Sequence, residues 1–383
     1  MTKSIFICAG EPSGDLLGAE LARALLQKNP SLNLSGMGGK NMQNSGVKLI
    51  LNCQDLAIIG IFEVLKKLPK IYQAMQTIKA ALVKNKPEAI ILIDYPGFNL
   101  RLAKIAKKLG IKVFYYSCPQ IWAWHYSRIK KIKQYCDHML TLFPFEEKMY
   151  QRENMPATFV GHPLVQRVQP SINLEEAYRT YHLDPKKPII ALVPGSRVSE
   201  INNLLKTIID SAKLIKQQIP DTQFVLPAAE NLDFEKLLAP DLIKDLENLN
   251  VNIIKNNRYN ALQCAHAAIA VSGTVTLELA LLQIPLVLIY RVSFLNYQLG
   301  KYLIAAPYLG LCNIVSGKRV AKELLQDEAT PKNIAAEVIE LLNNKNYRAD
   351  ILNSWQKLKA SIGNEACAEK AATEILKNAA LQC

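Results

Sequence analysis

SIFICAGEPSGDLLGA, residues 4–19, runs from an unbroken apolar stretch through a glycine-bearing turn into a segment with helical periodicity. Short continuous apolar runs mark parallel strands buried on both faces. The same kind of run recurs as EAIILIDY (88–95), KVFYYS (112–117), HMLTLF (138–143) and ATFVGH (157–162). Amphipathic stretches at 15–28, 62–84 and 99–109 lie between them. This alternation predicts an open parallel sheet with helices on both faces.

Residues 163–185 interrupt the rhythm with a polar, irregular segment, and the pattern then restarts. PIIALVPGSR (188–197), TQFVLPAA (222–229), VNIIK (251–255), AAIAVSG (267–273) and IPLVLIY (284–290) read as a second strand series. From about residue 331 no strand-like run remains. The fold class is therefore α/β, with two Rossmann-like domains at 1–165 and 166–345 and a C-terminal helical tail at 346–383. The carboxyl ends of both sheets are expected to face a central cleft, since ligands bind there in open α/β sheets. The tail is expected to pack on an N-terminal domain, its own or a partner's, which leaves a homodimer open.

The bulk composition agrees. A chain of 383 residues suits two domains, and 50% hydrophobic with 21% charged residues excludes wholesale disorder. A net charge of +13 points to an anionic partner: nucleic acid, an acidic membrane surface or a phosphorylated substrate. Nine lysines and arginines and no acids fall between residues 101 and 133, so the excess belongs to the N-terminal domain. The eight cysteines are scattered without CxxC spacing, which suggests neither a zinc site nor a redox pair. Dispersed thiols, and an opening apolar run too short for a signal peptide, read as cytoplasmic. Residues 269–290 are long enough to span a bilayer but contain Glu278, Gln283 and Pro285, so a buried helix and strand fit better.

Several turns carry chemistry. Gly195, Ser196 and Arg197 follow a strand, where backbone amides and a guanidinium suit phosphate oxygens. The plainer reading is a Pro-Gly turn with a solvated arginine. VSGTVTLELA (271–280) repeats the arrangement: Ser272, Gly273, Thr274 and Thr276 open a helix, and Glu278 lies on the face of Thr274. A carboxylate there can accept both hydrogen bonds of a ribose diol, or be ordinary helix polarity. Together the two turns favour a nucleotide diphosphate, and neither fits the ATPase or dehydrogenase glycine patterns. Asp94 ends an apolar strand, where it can serve as a general base or cap the next helix.

The first turn differs, for it carries Glu11 and Asp15 and no cation. In GIFEVLKKLPKIYQAM (60–75), Phe62, Val64, Leu65, Leu68, Ile71 and Tyr72 sit among lysines. They are too many for one narrow stripe, and the segment is expected to face a membrane interface with its cations at lipid phosphates. QIWAWHYSRIKKI (120–132) interleaves tryptophans and bases, yet no nucleic-acid-binding pattern accompanies them, so nucleic acid is not the expected partner. His162 reads as a structural or hinge histidine at the domain boundary, not a catalyst.

Taken in order, GEPSGD (10–15), IIGIFEVL (58–65), DYPGFN (94–99), PQIWAW (119–124), FVGHPL (159–164), PGSRVSEI (194–201), SGTVTLE (272–278) and NIVSGKRVAKELLQ (313–326) resemble the lipid-A-disaccharide synthases. These are GT-B glycosyltransferases of lipid A, and so lipopolysaccharide, biosynthesis in Gram-negative bacteria. The resemblance implies an inverting transfer from UDP-2,3-diacylglucosamine to 2,3-diacylglucosamine 1-phosphate (lipid X), giving a β-1,6-linked disaccharide 1-phosphate and UDP. It implies no cofactor and no metal, and an enzyme peripherally attached to the anionic inner-membrane surface from the cytoplasm.

It marks Glu11, Asp94, Arg197, Glu278 and Asn313: Asp94 and Glu11 as catalytic, with Asp94 preferred as base, and Asn313 as substrate-binding. The first turn would then meet an acceptor sugar instead of a phosphate, with Glu11 orienting the acceptor, assisting Asp94 or stabilising positive charge at the transition state, and Asp15 reads as structural. Two departures are Cys118, where the family usually has serine, and Cys312, where proline is common before the asparagine. The rival readings are another GT-B enzyme on a UDP-amino sugar (a UDP-N-acetylglucosamine 2-epimerase or a lipid-linked sugar transferase) and a non-catalytic anionic-lipid or nucleic-acid binding module.

Overall fold

The computed structural model describes residues 3–56, 61–228, 237–292, 297, 306–363 and 366–381, with the side chains of 55–56 and 61–68 outside the description. The chain divides into two units, Met1–Pro163 with Ile362–Cys383, and Leu164–Ser361.

The first unit is built on seven parallel strands: β1 (Ser4–Ala9), β2 (Asn33–Gly38), β3 (Lys48–Asn52), β4 (Ala89–Ile93), β5 (Lys112–Tyr116), β6 (His138–Thr141) and β7 (Ala157–Phe159). Their order is β3-β2-β1-β4-β5-β6-β7. The crossover direction reverses between β1 and β4, whose register ends on the pair Ala9 and Ile93. That switch point is where an open sheet receives ligands. All five residues of β4, AIILI, are buried, its leucine and isoleucines each contributing about 1.5–3 kcal/mol on transfer from water. β2, NLSGMG, does not read as a strand because glycine disfavours one. Gly36 is required all the same, since a Cβ there would lie 1.9 Å from the Ile7 carbonyl oxygen of β1.

The second unit repeats the plan with six parallel strands: β8 (Ile189–Val193), β9 (Gln223–Pro227), β10 (Val251–Ile254), β11 (Ala267–Val271), β12 (Leu286–Tyr290) and β13 (Lys322–Leu325). Their order is β10-β9-β8-β11-β12-β13, so its switch point lies between β8 and β11. The register pairs Val193 with Ala270, which brings the turns after these two strands side by side.

Residues 346–383, expected as one tail, divide. The helix Lys345–Ser361 belongs to the second unit, where Trp355 is fully buried and the Arg348 guanidinium donates to the His266 carbonyl at 2.5 Å. The helix Cys367–Asn378 packs in the first unit on the helix Pro12–Lys28. Asn29 Nδ2 donates to the Leu381 carbonyl at 3.1 Å, and the Cys367 thiol to the Gly161 carbonyl at 3.1 Å. Among the described residues no helix is long and apolar enough to cross a membrane.

Candidate active site

Glu11 is the exposed residue preceding the helix Pro12–Lys28, two positions past the end of β1. Asp15, one turn further on, is buried and accepts from the amides of Gly39 at 2.6 Å and of Asn41 and Met42 at 3.1 Å. It is a structural carboxylate. Asp94 follows β4 directly and is half-buried. It and Tyr95 both adopt left-handed backbone, with φ of 46° and 48°, a conformation costly for residues with a Cβ and typical of functional turns.

Two buried donors hold that turn. Asn99 Nδ2 and the Tyr115 hydroxyl each donate to the Asp94 carbonyl at 2.7 Å. Asn99 Nδ2 also reaches the Ile93 carbonyl at 3.1 Å. Gly10 lies against the Tyr95 ring so closely that a Cβ would sit 2.3 Å from Cδ1. The turns after β1 and β4 are thus locked together, and Glu11 and Asp94 are neighbours. Burial pushes the Asp94 carboxyl above its ordinary range, and the negative charge of Glu11 adds to the effect.

Nearby sequence motifs resolve differently. The Trp122 indole donates at 3.0 Å to Glu146, a buried acid pushed up to about 7 by its burial. Trp124 is half-exposed, with the Arg128 guanidinium 4.9 Å from its ring centre. His162 is buried, with its ring 4.8 Å from that of Phe143. Of the residues expected to face a membrane, Tyr72 is exposed, whereas Ile71 packs against the core of its unit. The side chains of Phe62, Val64, Leu65 and Leu68 lie outside the described residues.

In the second unit, the paired turns after β8 and β11 enclose a cavity of about 340 Å³, within the range of small-ligand sites. Gly195, Ser196, Arg197, Ser272, Gly273, Thr274 and Glu278 all line it, and sequence reasoning had named each of them. Gly195 has a φ of 100°, and a Cβ on it would lie 2.3 Å from Glu200 Oε2. That oxygen accepts from the Ser196 amide at 3.1 Å and the Arg197 amide at 3.3 Å, while Glu200 Oε1 pairs with the Arg197 guanidinium at 3.2 Å. Arg197 itself is 80% exposed along its side chain, so the charge stays available to a ligand.

Two expectations need correction. Thr276 is fully buried outside the cavity lining, and its hydroxyl donates to the Gly273 carbonyl at 2.9 Å, shaping the turn from behind. Asn313 is also fully buried. Its Nδ2 donates to the Ala321 carbonyl at 2.8 Å and Glu323 at 2.9 Å, and its Oδ1 accepts from the Val320 and Ala321 amides at 2.8 Å. An amide group offers two donors and two acceptor sites, so none is left for a substrate. Its partner Glu323 holds the Leu309 and Gly310 amides, and the Leu309 carbonyl accepts from the Ser272 hydroxyl at 3.1 Å. Asn313 therefore supports the cavity wall through the 309–310 loop. Cys312, beside it, is fully buried.

Arg258 escaped sequence reasoning. It follows Asn257, whose φ of 52° turns the chain out of β10 toward the cavity, and it lines that cavity. Its Nη2 lies 2.9 Å from Glu278 Oε2, yet Oε2 makes no aligned hydrogen bond and is buried. An asparagine, which tolerates left-handed backbone, before an arginine is its trace in the sequence.

The family model described as lipid-A-disaccharide synthetase matches residues 5–376. The lipid-A-disaccharide synthase of Coxiella burnetii (strain CbuG_Q212) is 51% identical over 373 residues, covering 97% of this chain and 98% of that protein. Among solved structures, the UDP-GlcNAc 2-epimerase from Neisseria meningitidis bound to UDP-GlcNAc aligns with a TM-score of 0.59 at 11% identity, over 99% of this chain and 100% of that one. The calicheamicin glycosyltransferase aligns with a TM-score of 0.60 at 16% identity, over 98% of both chains. At such identities the structures speak for the GT-B-like fold alone. The sequence relationship is closer and full-length, and by it this chain belongs to the lipid-A-disaccharide synthetase family of glycosyltransferases.

Proposed function

We propose that the protein transfers a 2,3-diacylglucosamine unit from its UDP carrier to the 6-hydroxyl of 2,3-diacylglucosamine 1-phosphate. Asp94 takes the proton of the acceptor hydroxyl as its oxygen attacks the anomeric carbon. The bond from that carbon to the diphosphate breaks on the opposite face, so the new linkage is β-1,6 and UDP leaves. Family membership supports the substrates. The single observation that carries the chemistry is Asp94 itself, a half-buried carboxylate at a switch point, held in left-handed backbone beside a second carboxylate. Its raised carboxyl is a stronger base than an ordinary aspartate once ionised.

In this reading Glu11 orients the acceptor or steadies positive charge developing at the anomeric carbon. Arg197 and the Gly195–Ser196 turn receive the diphosphate, where fixed positive charge favours its departure. Glu278 accepts the ribose diol. The acyl chains place the reaction at a membrane surface, and the acid-free basic stretch 101–133 supports attachment to anionic lipid.

The test is UDP release from UDP-2,3-diacylglucosamine in detergent micelles, with and without 2,3-diacylglucosamine 1-phosphate. Acceptor-dependent release by the wild type that collapses in Asp94→Ala is the expected result. Tight UDP binding with no release would move the reading to another sugar acceptor. Release indifferent to Asp94→Ala would remove Asp94 as base.

A further inference from the structure

Glu278 occupies an unusual place for an acid asked to hold a sugar. It lies in the helix Val275–Leu281, is 3% exposed, lines the cavity, and has a buried Oε2 without an aligned hydrogen bond. A ribose offers two neighbouring hydroxyl donors. An ionised carboxylate accepts both, whereas a protonated one has turned one oxygen into a donor and can pair properly with only one. Whether this pocket recognises ribose therefore depends on the charge carried by a single buried side chain.

Burial works against that charge. Desolvation pushes the Glu278 carboxyl above its ordinary range, because a low-dielectric surrounding disfavours the ion. Among the described residues the charged and titratable groups that act on it are Arg258 and Tyr259, joined by the hydroxyl of Thr274. Arg197 and Glu200, on the cavity's other wall, form their own pair. The Arg258 guanidinium lies 2.9 Å from Oε2. It also lies 4.9 Å from the centre of the Tyr259 ring, with Nη2 2.9 Å from the Tyr259 hydroxyl. That ring limits the positions the guanidinium can take, and its contact with Oε2 is a charge contact.

We propose that Arg258 is a positioning residue that keeps Glu278 ionised inside the cavity and thereby sets its selectivity for a nucleoside diphosphate with an intact ribose diol. The proposal rests on the nucleotide reading of this cavity. It gives Arg258 a task distinct from that of Arg197: one cation serves the diphosphate, the other serves the acid that reads the sugar.

The experiment is calorimetric titration of the full-length protein with UDP and with 2′,3′-dideoxy-UDP between about pH 6 and pH 8.5. Wild type, Arg258→Met, Arg258→Lys and Glu278→Gln are compared. The ratio of the two affinities isolates the diol, because ionisation of the diphosphate is common to both ligands. Hydrogen bonds to a charged group imply a wild-type ratio of about tenfold or more, flat across the range. Arg258→Met is expected to lose that preference at the acid end and regain it as pH rises. Arg258→Lys, which keeps the charge, is expected to stay flat. Glu278→Gln is expected to show a small ratio at every pH.

An Arg258→Met ratio that follows wild type throughout overturns the role of Arg258 while leaving the nucleotide site standing. Equal wild-type binding of both ligands overturns Glu278 as the diol reader and this proposal with it. Absence of UDP binding to the wild type overturns the nucleotide reading itself. Should Arg258→Met not fold, a pH-dependent ratio in Arg258→Lys would count against the proposal equally.

Discussion

The hydroxyl of Tyr115, on β5, donates to the carbonyl oxygen of Asp94, at the tip of β4, across 2.7 Å. A side chain with no exposed atom thus fixes the backbone of the proposed base. Phenylalanine at 115 preserves the ring and deletes the donor, leaving Asn99 as the remaining clamp. The loss of one buried hydrogen bond, about 1 kcal/mol, is expected to appear in kcat, lowered by roughly tenfold or less, with KM for the acceptor little changed. Steady-state kinetics on Tyr115→Phe checks this, and an equal change in KM would point to general loosening of the site.

Glu11 is expected to control the pH at which Asp94 becomes active. A base works deprotonated, and both burial and the neighbouring negative charge raise its carboxyl. The acid limb of kcat/KM should therefore lie above the ordinary carboxylate range of about 4. Glu11→Gln removes one of the two causes, so its limb should move to lower pH. Profiles that superimpose would mean the two carboxylates do not interact.

Arg197→Ala separates binding from stability. The side chain is 80% exposed and its pair with Glu200 is a surface ion pair, so the melting temperature should hold. UDP affinity should fall by about tenfold or more, as for the loss of a charged hydrogen bond. An unchanged affinity by calorimetry would remove the diphosphate from this turn.

Asn313→Ala should do the reverse. Four hydrogen bonds vanish and two backbone amides, a carbonyl and the Glu323 carboxylate lose a buried partner. A cost of about 3 kcal/mol or more follows, or roughly 6–12 °C in the transition of a unit this size. Differential scanning calorimetry reads it directly. A normal melting temperature with a raised KM would return Asn313 to the role of substrate ligand.

Deleting residues from 362 onward should unfold the first unit and spare the second. The deletion removes Cys367, Ile375, Leu376 and Leu381, all buried, and leaves Asn29 and the Gly161 carbonyl without their partners. Limited proteolysis of the shortened chain should cleave within 1–163 and leave 164–361 intact. Protection of both would show that the last helix is dispensable cover.

How much of this was legible depends on what each residue does. β4 (AIILI), β8 (IIALV) and β11 (AAIAV) announce themselves because a strand covered on both faces must be apolar throughout. β2 and β13 do not. Gly36 answers to the closeness of β1, and Glu323 in β13 is a buried acid held by backbone amides, so neither follows the apolar rule. The turns that line the cavity were readable from glycine and hydroxyl residues after strands. Thr276 belongs to one of these turns and Asn313 was marked by the family resemblance alone, and neither signal distinguishes a residue that touches a ligand from one that holds the wall behind it. Arg258 was hidden because its meaning comes from Glu278, twenty residues away. The division of the tail was hidden because amphipathic helices look alike whichever unit they cover.

That division also bears on how the molecule is made. The second unit is continuous in the chain, while the first takes its final helix from beyond the second unit. A ribosome delivers the second unit whole before it makes residues 362–383, which belong to the first unit. The first unit is thus completed after the second, and its acid pair, Glu11 and Asp94, reaches final form only once the segment after residue 361 has been made.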